Sequence, residues 1–151
     1  MAEYTAQFKP ENLFVRETAV AYSSAIKDLS EPFKKYNVVK LLLQNYTFKD
    51  DLEQIEIIHF IYENWFLVPI LEKCPVQARA IFGKNTKLVL ELFSDPGDEA
   101  ESAELFIVIR PDLELDEALN KFDRLLASWF NAVQHKTRGL LNITVESKHE
   151  F

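Results

Sequence analysis

A chain of 151 residues with 48% apolar residues, 3 glycines and a net charge of −7 can bury a core without disulfides or metals. Scarce glycine argues against a β-sandwich of many tight turns and against a glycine-rich phosphate loop, and the lone Cys74 excludes an internal disulfide and fits a reducing compartment. No apolar run reaches bilayer-spanning length and residues 1–10 lack a basic, apolar leader pattern, so a soluble, cytoplasmic protein without a membrane contact is expected.

In chain order, Pro10 to Leu29 reads as a helix with an imperfect stripe of Leu13, Phe14, Val20, Ala21, Ser24 and Ile26. Ser30 is placed to cap a second helix, with Pro32 in its first turn where a missing N–H matters least. Its apolar side would be Phe33, Tyr36, Val39, Leu42 and Leu43, and Val38 and Val39 are also compatible with a strand. Asp50 and Glu53 have capping-box spacing ahead of a third helix bearing Ile55, Ile58, Ile61, Tyr62 and Trp65. Pro69 should kink or end that helix. Pro75 then opens a last short helix, which Gly83 ends in the left-handed conformation.

Beyond Gly83 the apolar period changes from that of a helix to that of a strand. Thr86–Ser94 and Glu104–Arg110 read as strands joined by an acidic hairpin loop containing Pro96 and Gly97. After Pro111, one continuous stripe of Leu115, Ala118, Leu119, Phe122, Leu125, Leu126, Trp129 and Val133 predicts a long amphipathic helix closed by Gly139. Acids at its start and His135, Lys136 and Arg138 at its end suit the helix dipole. Leu141, Ile143 and Val145 alternate with polar residues, which predicts a half-exposed edge strand. That strand would run antiparallel beside the first strand, or parallel if it pairs with the second; the first arrangement is favoured. The fold class is therefore α+β: a helical part (1–83) packed with a small, mostly antiparallel ββαβ unit (84–151). Without repeat or linker the two parts form a single domain, 1–151.

Chemistry is sparse. The three histidines lack metal-ligand spacing, and Cys74 has no partner at such spacing, so no metal, no cofactor and no catalytic residue is assigned. His59 sits mid-helix as a partly buried residue bonded to a neighbour, His135 answers the helix dipole, and His149 falls in a frayed tail. Asp123, beside Phe122, is placed to accept from Trp129 or a strand residue. Between Glu91 and Glu117, ten acids face one base, Arg110, so this segment carries −9 and the rest of the chain +2. Arg110 should pair across the strands with Glu91 or Glu104. Lysines and arginines do not cluster, which argues against nucleic acid as a partner. The acids of the hairpin loop do not have calcium-loop spacing and read as a solvated loop.

Leu88-Val-Leu-Glu-Leu-Phe-Ser-Asp-Pro96, Glu104-Leu-Phe-Ile-Val-Ile-Arg110, Glu117-Ala-Leu119, Phe122-Asp123 and Trp129 together resemble a family of small uncharacterised bacterial α+β proteins. The resemblance spans roughly residues 68–146. It departs at Glu114, where the family favours a serine cap, and at Phe130, which stands for a second tryptophan. It implies a bacterial, cytoplasmic, single-domain protein and carries no activity.

The sequence supports two functional expectations. The first is a non-enzymatic protein-interaction or regulatory module, acidic, binding a basic protein partner or a second copy of itself as a homodimer. Its surface would be Asp95, Asp98, Glu99, Glu101 and Glu104, with the uncovered strand edge beside them. The alternative is a small-ligand-binding or enzymatic domain whose pocket, between the N-terminal helices and the sheet, is lined by His59, Glu63, Trp65 and Arg79.

Overall fold

The computed structural model describes residues 32–94 and 103–150. The helix expected over Pro10–Leu29, the Ser30 cap and the acids Asp95, Asp98, Glu99 and Glu101 lie outside the described residues. The chain divides into two compact units, Met1–Val38 and Val39–Phe151. Of the first, only the helical residues 32–38 are described; the sheet and the helices packed on it belong to the second.

A helix over residues 32–43 (α1) brings Val39, Leu42 and Leu43 into the core, whereas Phe33 and Tyr36, expected on its apolar side, are exposed. Thr47–Phe48 (β1) then forms a strand inside the part expected to be wholly helical. Asp51–Glu63 (α2) starts as its spacing predicts: the Asp50 carboxylate accepts the Glu53 N–H at 2.8 Å. The Glu53 carboxylate does not complete the capping box; it accepts the Leu92 N–H on the sheet at 3.2 Å. The buried side of α2 is Ile57, Phe60 and Ile61, and Ile55 is exposed. A helix apolar on nearly all sides leaves its phase undetermined by pattern, and the sheet chooses it.

A short turn of 3-10 helix at Trp65–Leu67 leads into Val68–Phe82 (α3). Pro69 neither kinks nor ends α2, which stops at Glu63; it falls in the first turn of α3, where its missing N–H matters least. Pro75 does not open a new helix; it is buried in the middle of α3. Proline there cannot donate to the carbonyl four residues back, Leu71, and the Tyr46 hydroxyl donates to that oxygen instead at 2.7 Å. Gly83 ends α3 at φ 118°, ψ 151°. That is a region essentially confined to glycine, not the left-handed one expected.

Lys87–Ser94 (β2) and Ala103–Arg110 (β3) form the predicted antiparallel hairpin, with Leu90 opposite Ile107. Leu115–Leu125 (α4) continues through a π-turn at Leu126–Phe130 and a 3-10 turn at Gln134–Thr137 before Leu141–Val145 (β4). The wide π-turn advances less per residue than an α-helix, which lets the consecutive Trp129 and Phe130 both enter the core. Arg138 closes the segment at φ 53°, its guanidinium 4.1 Å over the Phe66 ring.

The four strands among the described residues are ordered β1-β2-β3-β4. β1 runs parallel to β2 and β4 parallel to β3, so two crossover units meet at one antiparallel hairpin. The sheet is therefore mixed, and β4 does not lie beside β2, the arrangement its pattern favours. The free side of β2 is taken by β1, and the α4 crossover returns its strand to the neighbour it left. β4 is an edge strand, as its polar alternation predicts.

Register assigns the faces. Leu88, Leu90, Leu105, Ile107, Ile109, Leu141 and Ile143 share one face and are buried. On the other, Val89 and Val108 are buried at the centre, and Glu91, Glu104, Phe106, Arg110, Thr144 and Glu146 surround them half-exposed.

Candidate interaction surface

Of the two sheet edges among the described residues, the chain protects one. β1 is two residues long and runs directly into Lys49-Asp50-Asp51, charges that discourage another strand from pairing there. β4 has no such protection: Leu141-Asn142-Ile143-Thr144-Val145 holds no charge, no proline and no glycine, and three of its residues are β-branched. The Leu105 N–H donates to Leu140 O at 2.8 Å and the Glu146 N–H donates to Ile109 O at 2.9 Å. Backbone groups alternate along a strand, so Leu140, Asn142, Thr144 and Glu146 bond toward β3. The N–H and C=O groups of Leu141, Ile143 and Val145 then point away from it, and no bond to them is made among the described residues.

Beside this edge lies α4, whose apolar stripe is wider than the fold uses. Ala118, Leu125 and Trp129 are buried, whereas Leu115 is 51% and Leu119 44% exposed, with Phe122 and Leu126 half-exposed. Each helical residue turns by roughly 100°. Leu115, Leu119, Phe122 and Leu126 therefore form a flank of their own, to one side of the buried line. The opposite flank, Arg124, Ala127 and Ser128, meets Ile81 of α3 around a shallow hollow of about 400 Å³. The apolar flank thus faces away from α3, on the side of β4, the edge strand among the described residues.

The start of α4 is held by the end of the chain. Glu114 takes the N-cap position without a side-chain cap bond. Its carboxylate pairs with Lys148 at 2.7 Å and with His149 at 3.2 Å, so His149 is anchored and not frayed. These hydrogen bonds lower the Glu114 pKa and raise that of Lys148. The Lys148 N–H also donates to Leu113 O.

On the sheet face of Val89 and Val108, Phe93 stands 53% exposed and meets Phe106 edge-on, ring centroids 5.2 Å apart. They border a hollow of about 310 Å³ with Glu91, Val108, Thr144 and Glu146. Arg110 donates to Glu146 at 2.8 Å, and not in the pairing with Glu91 or Glu104 that composition suggested. The register explains it: Glu91 and Glu104 lie opposite Phe106 and Phe93, well along the hairpin from Arg110. Glu104, the described member of the expected acidic surface, is half-buried and accepts from the Asn142 side-chain amide.

The four residues expected to line a pocket do not converge. His59 and Glu63 pair at 3.3 Å on the surface of α2, their side chains 75% and 63% exposed, so His59 is not partly buried. Trp65 lies in the following turn against Tyr62, centroids 5.9 Å apart. Arg79 is spent on the backbone and one side-chain amide: it donates to Asn45 Oδ1 at 3.0 Å, Asn45 O at 3.2 Å and Thr86 O at 3.4 Å. Asp123 is exposed on α4, and among the described residues no hydrogen bond joins it to Trp129. Among the described residues no group of three or more histidine, cysteine or carboxylate side chains is placed to hold a metal ion, and no helix is long and apolar enough to cross a membrane.

The buried Cys74 is held as a thiol. Burial pushes its pKa from an ordinary 9.0 up to about 12, against the Tyr46 hydroxyl and the Arg79 guanidinium, which pull it down. Burial, and the nearby Cys74, likewise raise Tyr46. Above pH 9 the unfolded thiol has lost its proton while the folded one keeps it, so unfolding releases a proton. The stability this thiol contributes is complete below pH 9 and falls as the pH rises toward 12. From neutral pH up to about 9 this contribution leaves the urea midpoint level, and above about pH 9 the midpoint should decline. Iodoacetamide should leave Cys74 unmodified in the native protein near pH 8, and alkylate it once denaturant is added.

Comparison of the chain with protein-family models, with curated proteins and with solved structures finds no match in any of the three.

Proposed function

We propose that this protein is a non-enzymatic protein-interaction module of the cytoplasm whose working surface is the β4 edge together with the outer flank of α4. The observation that carries the reading is the division of the α4 stripe: Leu115 and Leu119 stay exposed beside a strand edge that nothing in its sequence protects. A folded chain that leaves adjoining helical and strand surfaces apolar has a use for them in binding. A cytoplasmic setting fits the single, reduced and buried Cys74. Asp112 just ahead of α4, and Asp116, Glu117 and Asp123 on it, favour a basic protein where the partner is a different chain.

A photo-crosslinking residue placed at Leu119 of the full chain tests the reading against one placed at Val76, an exposed apolar residue of α3 at 69% exposure. Protein adducts formed from Leu119 and not from Val76 are the expected result. Equal labelling from both positions, or none from either, would overturn it.

A further inference from the structure

We infer that the occupant of this surface is a second copy of the chain, joined β4 to β4 in antiparallel register about a two-fold axis through Ile143. The inference rests on the interaction reading and names its partner. Centred on Ile143, the pairing sets Leu141 against Val145 of the second copy, Ile143 against Ile143, and Val145 against Leu141. Those are the residues whose main-chain groups point outward, so each faces a residue able to exchange hydrogen bonds with it. A register shifted by one residue would bring inward-bonding residues opposite outward ones and lose the ladder.

Side chains agree with the same register. The helix-covered face presents Leu141, Ile143 and Val145 to their own counterparts, and the other face sets Asn142 against Thr144. A chain of net charge −7 meets its copy here without like charges on the axis, because Leu141–Val145 carries none. The same axis brings the Leu115, Leu119, Phe122 and Leu126 flanks of the two α4 helices toward each other, and their burial accounts for the exposed half of the stripe. One continuous sheet then runs through both copies, and neither keeps an unprotected edge.

Asp116 and Asp123 flank the α4 stripe, so screening their repulsion strengthens the dimer. A basic partner would respond in the opposite sense, since salt weakens attraction between unlike charges.

Sedimentation of the full chain across a wide concentration range, at low and at high salt, is the test, read together with hydrogen exchange. A dimer is expected that tightens with salt, with the Leu141, Ile143 and Val145 amides protected. Leu119→Glu should raise its dissociation constant by about tenfold or more while leaving the far-ultraviolet circular dichroism of the monomer unchanged. Ile143→Pro gives a second probe, because the N–H it removes faces outward and takes no part in the bond to β3. A dimer that forms with the three amides exchanging freely overturns the β4 pairing. A monomer at every concentration overturns the second copy. In that case adducts from Leu119 to a different protein would leave the interaction reading standing, and their absence would remove both.

Discussion

Replacing Trp129 with alanine is expected to lower the unfolding free energy by roughly 3–5 kcal/mol. The indole is 8% exposed and tilts against Phe130 with ring centroids 5.8 Å apart, in the π-turn that ends the amphipathic part of α4. Removing it empties buried space that the close-packed neighbours cannot refill. Leu119→Ala, on the same helix and within the same apolar stripe, should change the stability of the monomer by no more than about 0.5 kcal/mol. Chemical denaturation of the two variants at a concentration where only monomer is present measures the contrast. Comparable losses in both would mean that Leu119 is packed, and the outer flank of α4 would no longer be available as a surface.

That contrast also marks where sequence reading stops. The stripe from Leu115 to Val133 is legible as one amphipathic helix, and the helix forms. Periodicity reports that residues are apolar and aligned; it does not report how wide a face the sheet can cover. The fold buries the line through Ala118, Leu125 and Trp129 and leaves a second line outside. The outer flank is therefore present in the sequence as a stripe too broad for one sheet, and periodicity alone assigns all of it to the core.

Local rules succeed where the interaction is local. Asp50 caps α2 through the residue three positions on, and the β2–β3 hairpin pairs over its full length. They fail where a distant partner decides the outcome. A two-residue strand such as β1 is too short to show alternation, yet by occupying the side of β2 it sends β4 to β3. The acidic residues that dominate the charge count give weight to Glu104, which the fold holds half-buried against Asn142. An uncharged five-residue strand, with no composition to draw attention, is the unprotected edge among the described residues.

Pro75 is the clearest instance of a distant partner overriding a local rule, and it leads to the second large effect. A proline within a helix leaves the carbonyl four residues before it without its donor. In α3 that carbonyl is Leu71 O, and the Tyr46 hydroxyl, from the segment between α1 and β1, supplies the missing bond from 25 residues away in sequence. Tyr46 is itself 5% exposed, and its backbone neighbour Asn45 is gripped by Arg79. Tyr46→Phe keeps the ring and removes only the hydroxyl, leaving a buried carbonyl unsatisfied at a cost of about 1–3 kcal/mol. Tyr46→Ala removes the ring as well and should cost roughly 3–5 kcal/mol. The mechanism has a sharper consequence than either number. Pro75→Ala restores an N–H that can bond to Leu71 O, so the hydroxyl should then matter less. The loss caused by Tyr46→Phe is expected to shrink by about 1 kcal/mol or more when it is measured in the Pro75→Ala background. Additive losses in that double-mutant cycle, followed by denaturant unfolding, would mean that Tyr46 stabilises the core through packing alone and that α3 tolerates Pro75 for another reason.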